Sequence, residues 1–190
     1  MKKQFPFLPI LFSILSLQVQ AQISGIINRY TAVTAIDSCT GQLAVGDTTG
    51  FRVGNAVLLI QMQGAEIITN NSASYGTVAA MNAAGYYERA IIDSVAANSV
   101  FVKNRFVHAY NPSGKVQLVN IPQYSNAIVS DTLRPKPWDG STGGVLALEV
   151  SNTLTLNAPI IASSTGFRGG ADYIATGNMC NILNPVTGYV

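Results

Sequence analysis

The sequence predicts an all-β protein, with a small β-barrel or sandwich unit followed by the start of a β-helix-like, strand-stacking unit. Only 11% of its 190 residues are charged, whereas surface helices are normally rich in Glu, Lys and Arg. Short runs of alternating apolar and polar residues are separated by clusters of Gly, Asn, Asp and Ser, the pattern typical of strands and tight turns. The first 21 residues have the features of a leader for export.

The leader is predicted from three consecutive features. Lys2 and Lys3 are basic, residues 5 to 17 are apolar, and Ala21 ends a small-residue cleavage pattern. We expect residues 1–21 to be a cleaved signal peptide and the mature chain to begin at Gln22. The protein is then secreted or held at the cell surface, with no transmembrane span after cleavage.

Loss of the leader changes the charge of the protein. Of 11 basic residues two leave with the leader, so the mature chain has nine basic and nine acidic residues. No basic run remains to release counterions from phosphates, and we therefore expect no nucleic-acid partner.

The first unit is predicted over residues 22–122. Gly and Asn turns separate its strands, and the most apolar of these, over residues 56 to 62, is expected to be a buried central strand. Asn98 lies in a predicted hairpin connection, because Asn tolerates a left-handed backbone. The predicted strands cover residues 31 to 36, 42 to 45, 56 to 62, 86 to 95, 99 to 103 and 115 to 121.

Residues 123–144 are predicted to be a junction containing Pro and Gly. Pro135 and Pro137 bias the residues before them towards extended backbone. Trp138 follows them, and Gly143 and Gly144 end the segment.

The second unit is predicted over residues 145–190. Leu146, Leu148, Val150, Leu154 and Leu156 share one face if the chain is extended. A turn is expected at residues 151 and 152, which would make short strands of the kind that stack as rungs of a parallel β-helix. One or two rungs bury little apolar surface alone, so this unit is expected to be incomplete and to begin a longer stack.

Two cysteines, Cys39 and Cys180, are a candidate disulfide in an exported chain. A buried, reduced Cys39 and a partner for Cys180 elsewhere are the alternatives. Two distant cysteines and one histidine do not form a clustered ligand set, so neither a metal site nor a cofactor is expected.

No catalytic residues are predicted. His108 is the only histidine, and no strained nucleophile turn accompanies it, so we expect a rim residue near a strand end. Asp139, Glu149 and Asp172 could form a carboxylate pair, but nothing in their spacing predicts that their carboxyl groups converge.

Aromatic residues are the remaining candidates for binding. Trp138 could stack on a sugar or plug the junction between the units. Tyr86, Tyr87 and Tyr110 could form an exposed aromatic row. The Gly-rich stretch over residues 166 to 170 is expected to be a structural corner, because no helix follows it to bind a phosphate.

Residues 51 to 65, 143 to 150, 154 to 157 and 166 to 170 carry a family resemblance. Over about residues 30 to 170 the chain resembles the N-terminal region of large secreted Bacteroidota proteins that end in a gliding-motility-associated, type IX secretion sorting domain. The resemblance implies export and an adhesive or scaffolding role, with no catalytic residues to carry over. The long Gly-rich tract and the sorting domain of those proteins do not occur in this sequence.

The sequence thus predicts an exported, non-catalytic structural or adhesive segment, whose partners would be surface glycans or other cell-envelope proteins. Two alternatives stay open, a glycan-active hydrolase or lyase on a β-helical scaffold and a carbohydrate-binding module.

Overall fold

The computed structural model describes residues 20 to 167, and its regular structure is almost entirely β. The predicted all-β class is confirmed. One short 3₁₀ turn, Pro112–Gly114, interrupts the strands. In chain order the strands are β1 (Ala21–Gly25), β2 (Tyr30–Asp37), β3 (Gln42–Val45), β4 (Ala56–Gln61), β5 (Glu66–Ile67), β6 (Val78–Ala80), β7 (Tyr87–Ala96), β8 (Ser99–Val102), β9 (Val116–Ile121), β10 (Gln123–Leu133) and β11 (Glu149–Leu156).

Six strands form a closed antiparallel barrel in the order β2-β3-β8-β7-β4-β9, with β9 pairing back onto β2. Closure leaves no unpaired strand edge in this unit. The barrel expected in the first unit is therefore present, and the short strands β5 and β6 form a separate hairpin outside it.

The barrel interior is filled by aliphatic side chains from every strand. The predicted central strand β4 is confirmed, because it pairs with both β7 and β9 and fully buries Val57 and Leu59. Complete burial of such side chains contributes roughly 1.5–3 kcal/mol each. Other fully buried members of this core are Leu43, Ile92, Val100 and Leu118.

Two tight turns shape the ends of the barrel. Asn98 has the predicted left-handed backbone, with φ of 58°, and closes the β7–β8 hairpin. Gly41, with φ of 70°, lies so close to β8 that a Cβ atom would stand 2.9 Å from the carbonyl oxygen of Val102. A side chain at this position would therefore clash with the neighbouring backbone.

A second sheet contains three parallel strands in the order β1-β10-β11. Ile23 on β1 lies beside Val129 on β10, which in turn lies beside Leu156 on β11. Strands stacked in parallel in this way are the arrangement of a β-helix-like unit, as predicted. The whole barrel is inserted in the chain between β1 and β10.

This arrangement differs from the expected division of the chain. From the sequence, β1 is expected in the first unit and residues 123 to 133 in the junction, but the two segments form the edge and centre of the parallel sheet. Ala127, Val129 and Leu133 on β10 point inward and are buried with Ile23. Polar residues at positions 125, 126 and 130 to 132 flank the short apolar run of this strand, so that it resembles a linker in the sequence.

The turn expected at residues 151 and 152 is wrong, because β11 runs through both. The pairing with β10 instead shifts by one residue between Tyr124 and Asn126. Such a bulge absorbs one extra residue without ending the strand. Consequently Leu154 and Leu156 still align with the inward residues of β10, as their predicted shared face requires.

Buried polar side chains join the barrel to the segment between β10 and β11. Gln117 on β9 is fully buried; its amide donates to the carbonyl of Gly143 at 2.9 Å and accepts from the N–H of the same residue at 2.8 Å. Asn28 makes the equivalent pair of bonds with Ala147, and the Tyr30 hydroxyl donates to the carbonyl of Val145. These bonds replace strand pairing as the link between the two units.

Within residues 20 to 167, the helical content includes nothing with the length and apolarity required to cross a bilayer.

Candidate functional site

A polar groove of about 690 Å³ lies at one end of the barrel. It lies where β4 ends and is bounded by the β5–β6 hairpin, the turn before β7 and the loop before β9. We call it the barrel-end groove. Its lining residues are Gln61, Gly64, Glu66, Asn82, Ala83, Tyr86, Ala109, Asn111, Ser113 and Gly114.

Gln61, the last residue of β4, fixes two walls of the barrel-end groove. Its side chain is buried, and its amide nitrogen donates to the carbonyls of Gln63 and Asn82, each at 2.8 Å. Its side-chain oxygen accepts from the N–H of Asn111 at 2.8 Å. Because a buried amide with all these partners resists displacement, the turn before β7 and the loop before β9 are held at a fixed separation.

Two residues of the turn before β7 have unusual backbone conformations. Asn82 has φ of 44° and Ala83 has φ of 64°, in the left-handed region that costs an alanine free energy. Gln61 holds this turn from beneath, and the N–H of Gly85 also donates to the Gln61 carbonyl. The turn is therefore maintained by its surroundings and not by its own preference.

An aromatic wall closes one side of the barrel-end groove. The ring of Tyr86 lies 4.6 Å from that of His108, measured between ring centroids, and Tyr86 remains 45% exposed. His108 also meets Tyr110 edge to face. His108 is exposed in the loop after β8, and its ring packs against that of Tyr86.

Glu88 anchors the loop that carries this wall. Its carboxylate accepts hydrogen bonds from the N–H groups of Val107 and His108, at 2.9 and 2.8 Å. Burial, and then the negative charge of Glu88, raise the pKa of Tyr110 well above its ordinary value. Tyr110 is thus a neutral phenol that packs under the wall, whereas Tyr86 and Tyr87 are exposed.

Polar side chains also line the groove. The carboxylate of Glu66 accepts from the side-chain amide of Asn82 at 2.9 Å. The side-chain oxygen of Asn111 accepts from both the N–H and the hydroxyl of Ser113, at 3.1 and 2.8 Å. These bonds orient the side chains. They do not use the second carboxylate oxygen of Glu66 or the side-chain amide nitrogen of Asn111, which can bond other partners.

Glu149, one of the predicted carboxylate candidates, lies in a different depression, of about 410 Å³, between β10 and β11. It forms an ion pair with Arg89 on β7, with one contact of 2.9 Å, and accepts from the Gln123 amide at 2.6 Å. The hydrogen bond from Arg89 is the main reason why the pKa of Glu149 lies below its ordinary value. Glu149 is the only acidic residue among those lining this depression.

Asp139 organises the loop that follows Trp138. Its carboxylate binds the Lys136 ammonium at 2.6 Å and accepts from the N–H groups of Ser141 and Thr142. Partial burial acts to raise the pKa of Asp139, but the hydrogen bonds from Lys136, Thr142 and Ser141 outweigh burial and hold that pKa well below its ordinary range. Asp139 and Glu149 share no partner in these networks, and Asp172 lies outside the described residues.

Trp138 is buried, with 5% of its surface exposed. Its ring packs edge to face on Phe167 at 5.2 Å, measured between ring centroids, and its backbone N–H donates to the carbonyl of Thr165 at 2.9 Å. A sugar-stacking ring needs an open face, so the structure favours the plug interpretation of Trp138 over the predicted glycan contact.

The remaining sequence candidates are only partly described. Cys39 is exposed in the turn between β2 and β3. Cys180 lies outside the described residues, so the disulfide stays a prediction. The Gly-rich stretch is described only as far as Phe167.

Tyr86 is predicted from the sequence as a candidate for binding, but its polar neighbours in the groove are not. Gln61 carries the one available signal, because a polar residue ends an otherwise apolar buried strand. Glu66 is on β5, Asn82 is in the turn before β7 and Asn111 is in the loop before β9, and no local spacing relates them. Their convergence depends on barrel closure.

Comparisons with known proteins give a limited result. No family model matches the chain, and no curated protein matches it. Among solved structures, it is similar to the Gp54 tailspike of Acinetobacter baumannii bacteriophage AP22, in complex with A. baumannii capsular saccharide, with 11% identity and a TM-score of 0.36 over 71% of this chain. It is also similar to the tailspike protein gp49 from Pseudomonas phage LKA1, with 11% identity and a TM-score of 0.33 over 72% of this chain. The chain spans 24% and 22% of these two structures.

Proposed function

We propose that this chain is an exported, non-catalytic structural and adhesive segment that acts at the cell surface or in the medium. Its expected partners are surface glycans or other cell-envelope proteins. The proposal includes the family resemblance, and hence an origin among secreted Bacteroidota proteins of the gliding-motility-associated kind.

The distribution of carboxylates is the observation that carries the non-catalytic role. Glycoside hydrolysis by the usual route needs two carboxyl groups facing one substrate. Each of three depressions in the described residues is lined by a single acidic residue: Asp47, Glu66 or Glu149. A surface of this kind supports attachment more readily than hydrolysis.

The protonation of the predicted acidic candidates supports the same role. A general acid for glycoside cleavage needs a raised pKa so that it holds a proton near neutral pH. Hydrogen bonds lower the pKa of both Asp139 and Glu149. Both are ionised at neutral pH and serve to hold loops together.

Export is supported by the leader and by the position of β1. Cleavage after Ala21 would remove only the first residue of β1 and would leave Ile23 buried against β10. The mature chain would therefore keep the pairing that joins its N-terminus to the parallel sheet.

To test export, the full chain is expressed with its own leader in a gliding Bacteroidota host. We expect the exported protein to begin at Gln22 by N-terminal sequencing and to be found in the medium or to be accessible to protease on intact cells. Retention of the leader, or a protein confined to the cytoplasm, would contradict the export part.

The second part incubates the purified protein with host surface polysaccharide and measures retention on the polysaccharide, reducing ends and unsaturated products. We expect retention without product. Product formation that is abolished in Glu66→Gln or Glu149→Gln, but not in the matched control Asp93→Asn, would establish an enzyme and overturn the non-catalytic role.

A further inference from the structure

We propose that the barrel-end groove is a binding site for one neutral pyranose unit of a glycan, with Tyr86 as the stacking surface and Glu66, Asn82 and Asn111 as the hydroxyl partners. This inference rests on the proposed adhesive function and assigns it to one site.

Tyr86 provides the apolar contact. One side of its ring is supported by His108 at 4.6 Å, and 45% of the residue remains exposed. The C–H groups on one face of a pyranose form a flat apolar patch that suits the face of an aromatic ring, and a ring already held in place loses little entropy on binding.

The polar residues that line the groove provide the hydrogen-bonding contacts. Glu66 offers a carboxylate oxygen as acceptor, and Asn111 offers amide N–H donors, since its oxygen is already bonded to Ser113. Neighbouring sugar hydroxyls each donate and accept, so an acceptor and a donor across one groove match a pair of them. The bond to an ionised carboxylate is the stronger of the two types.

Charge selects among sugars. Glu66 is the one charged residue among those lining the barrel-end groove. A uronic acid or another acidic sugar would bring a second negative charge next to it without a lining cation to compensate. We therefore expect neutral pyranoses to bind and acidic ones to be rejected.

Preorganisation distinguishes this groove from an incidental depression. The buried amide of Gln61 bonds both walls, and the left-handed residues Asn82 and Ala83 hold one of them in a costly conformation. Strain of this kind persists only where surrounding contacts maintain it, and it is concentrated at functional sites.

The test titrates the purified full-length mature chain with methyl β-glucoside, methyl β-galactoside, methyl α-mannoside and methyl β-glucuronide, following protein NMR shifts. Single sugar units bind weakly, with Kd of about 1 mM or above. We expect at least one neutral glycoside to shift groove resonances and the glucuronide to bind about tenfold more weakly.

Variants assign the binding to the groove. Tyr86→Ala should weaken the best neutral glycoside by about tenfold or more. Tyr87→Ala is the matched control, because Tyr87 is the adjacent, 66% exposed tyrosine and does not line the groove. Glu66→Gln, on the exposed β5–β6 hairpin, is a second variant that keeps the side-chain shape; it should weaken the neutral glycoside and narrow its advantage over the glucuronide.

Several outcomes would overturn the inference: no shift with any neutral glycoside, preferential binding of the glucuronide, or equal losses in Tyr86→Ala and Tyr87→Ala. If Tyr86→Ala is retained on polysaccharide as well as the unchanged protein, the groove is not the binding site, but the adhesive role stands. Groove-dependent binding accompanied by glycan cleavage would have the opposite meaning, because the site would stand and the non-catalytic role would fall.

Discussion

The barrel and the parallel sheet use similar strands in opposite ways. In the barrel every strand has two neighbours, and residues such as Leu59 and Leu118 are fully buried. In the sheet only β10 has two neighbours among the described strands, and on β11 Leu154 and Leu156 are 37% and 59% exposed. The barrel thus pairs all its strands and buries its own core, whereas the sheet leaves apolar side chains exposed and depends on contacts with the barrel for much of its order.

The polar links show how the sheet depends on the barrel. Gln117, Asn28 and Tyr30 belong to the barrel or its entry and bond backbone groups of residues 143 to 147. Without these bonds the segment leading into β11 would carry unpaired buried groups. We infer that the barrel is the independent folding unit and that the described sheet is ordered upon it.

The largest effect should come from the barrel core. Leu118→Ala removes a fully buried side chain from the barrel interior, and its lost burial plus the cavity should lower the free energy of unfolding by about 3 kcal/mol. Urea denaturation followed by circular dichroism measures the change. The sheet should melt together with the barrel.

Leu156→Ala is the matched control on the sheet. Because Leu156 is 59% exposed, its truncation should change the free energy of unfolding by about 0.5 kcal/mol or less. Comparable losses in the two variants would mean that β11 is covered in solution and that the contrast between the regions is wrong.

The next effect should come from the link between the regions. Gln117→Leu leaves the N–H and carbonyl of Gly143 without their buried partner, and each unsatisfied buried group costs about 1–3 kcal/mol. We expect a loss of about 2 kcal/mol, with amide exchange of residues 136 to 148 accelerated far more than that of β4 or β9. Gln22→Leu, at an exposed glutamine of β1, controls for the change of residue type; uniform acceleration across the barrel would show that the two regions open as one.

The barrel could be predicted from sequence because its signals are local. The apolar run that becomes β4 and the turn at Asn98 both reside in a few adjacent residues, and two neighbouring pairs of the barrel, β2–β3 and β7–β8, are consecutive in the chain. The parallel sheet lacks such a signal, since Ala21 pairs with Ala127 across the entire barrel. A strand such as β10, in which a short apolar run is flanked by Ser, Asn, Asp and Thr, cannot be distinguished from a linker until its neighbours are known.

The site divides in the same way. Tyr86 could be named because aromatic residues are candidates for binding wherever they occur. Glu66 and Asn111 are ordinary polar residues in sequence, and only the fold brings them into one groove with Tyr86. For Trp138 the sequence leaves both a sugar contact and a plug open, because it does not reveal that Phe167 packs against the ring.

Acidification should destabilise the loop after Trp138, which the Asp139 carboxylate holds together. The pKa of Asp139 is lower in the folded chain than its unfolded value of about 4. Its contribution to stability is therefore complete above that unfolded value and is lost as pH falls through the folded pKa.

We expect the free energy of unfolding to fall between about pH 4 and 2. At pH 7, Asp139→Asn should lower it by about 1 kcal/mol or less after allowance for solvent screening. Below about pH 4 the free energy of unfolding of this variant should depend less on pH than that of the unchanged protein. Thermal melts at stepped pH measure both. Asp93→Asn, at an exposed carboxylate on β7, is the control. If the loss of stability at low pH is unchanged in Asp139→Asn, Asp139 does not contribute to it.

The smallest effect should come from the ion pair between Arg89 on the barrel and Glu149 on β11. Both side chains are partly exposed, at 46% and 37%, so solvent and salt screen their attraction and their pair should contribute a few tenths of a kcal/mol. A double-mutant cycle with Arg89→Gln and Glu149→Gln, measured by urea denaturation at low and high salt, gives the coupling free energy. A coupling comparable to the loss in Gln117→Leu, and insensitive to salt, would mean that surface charge and not buried amides holds the sheet to the barrel.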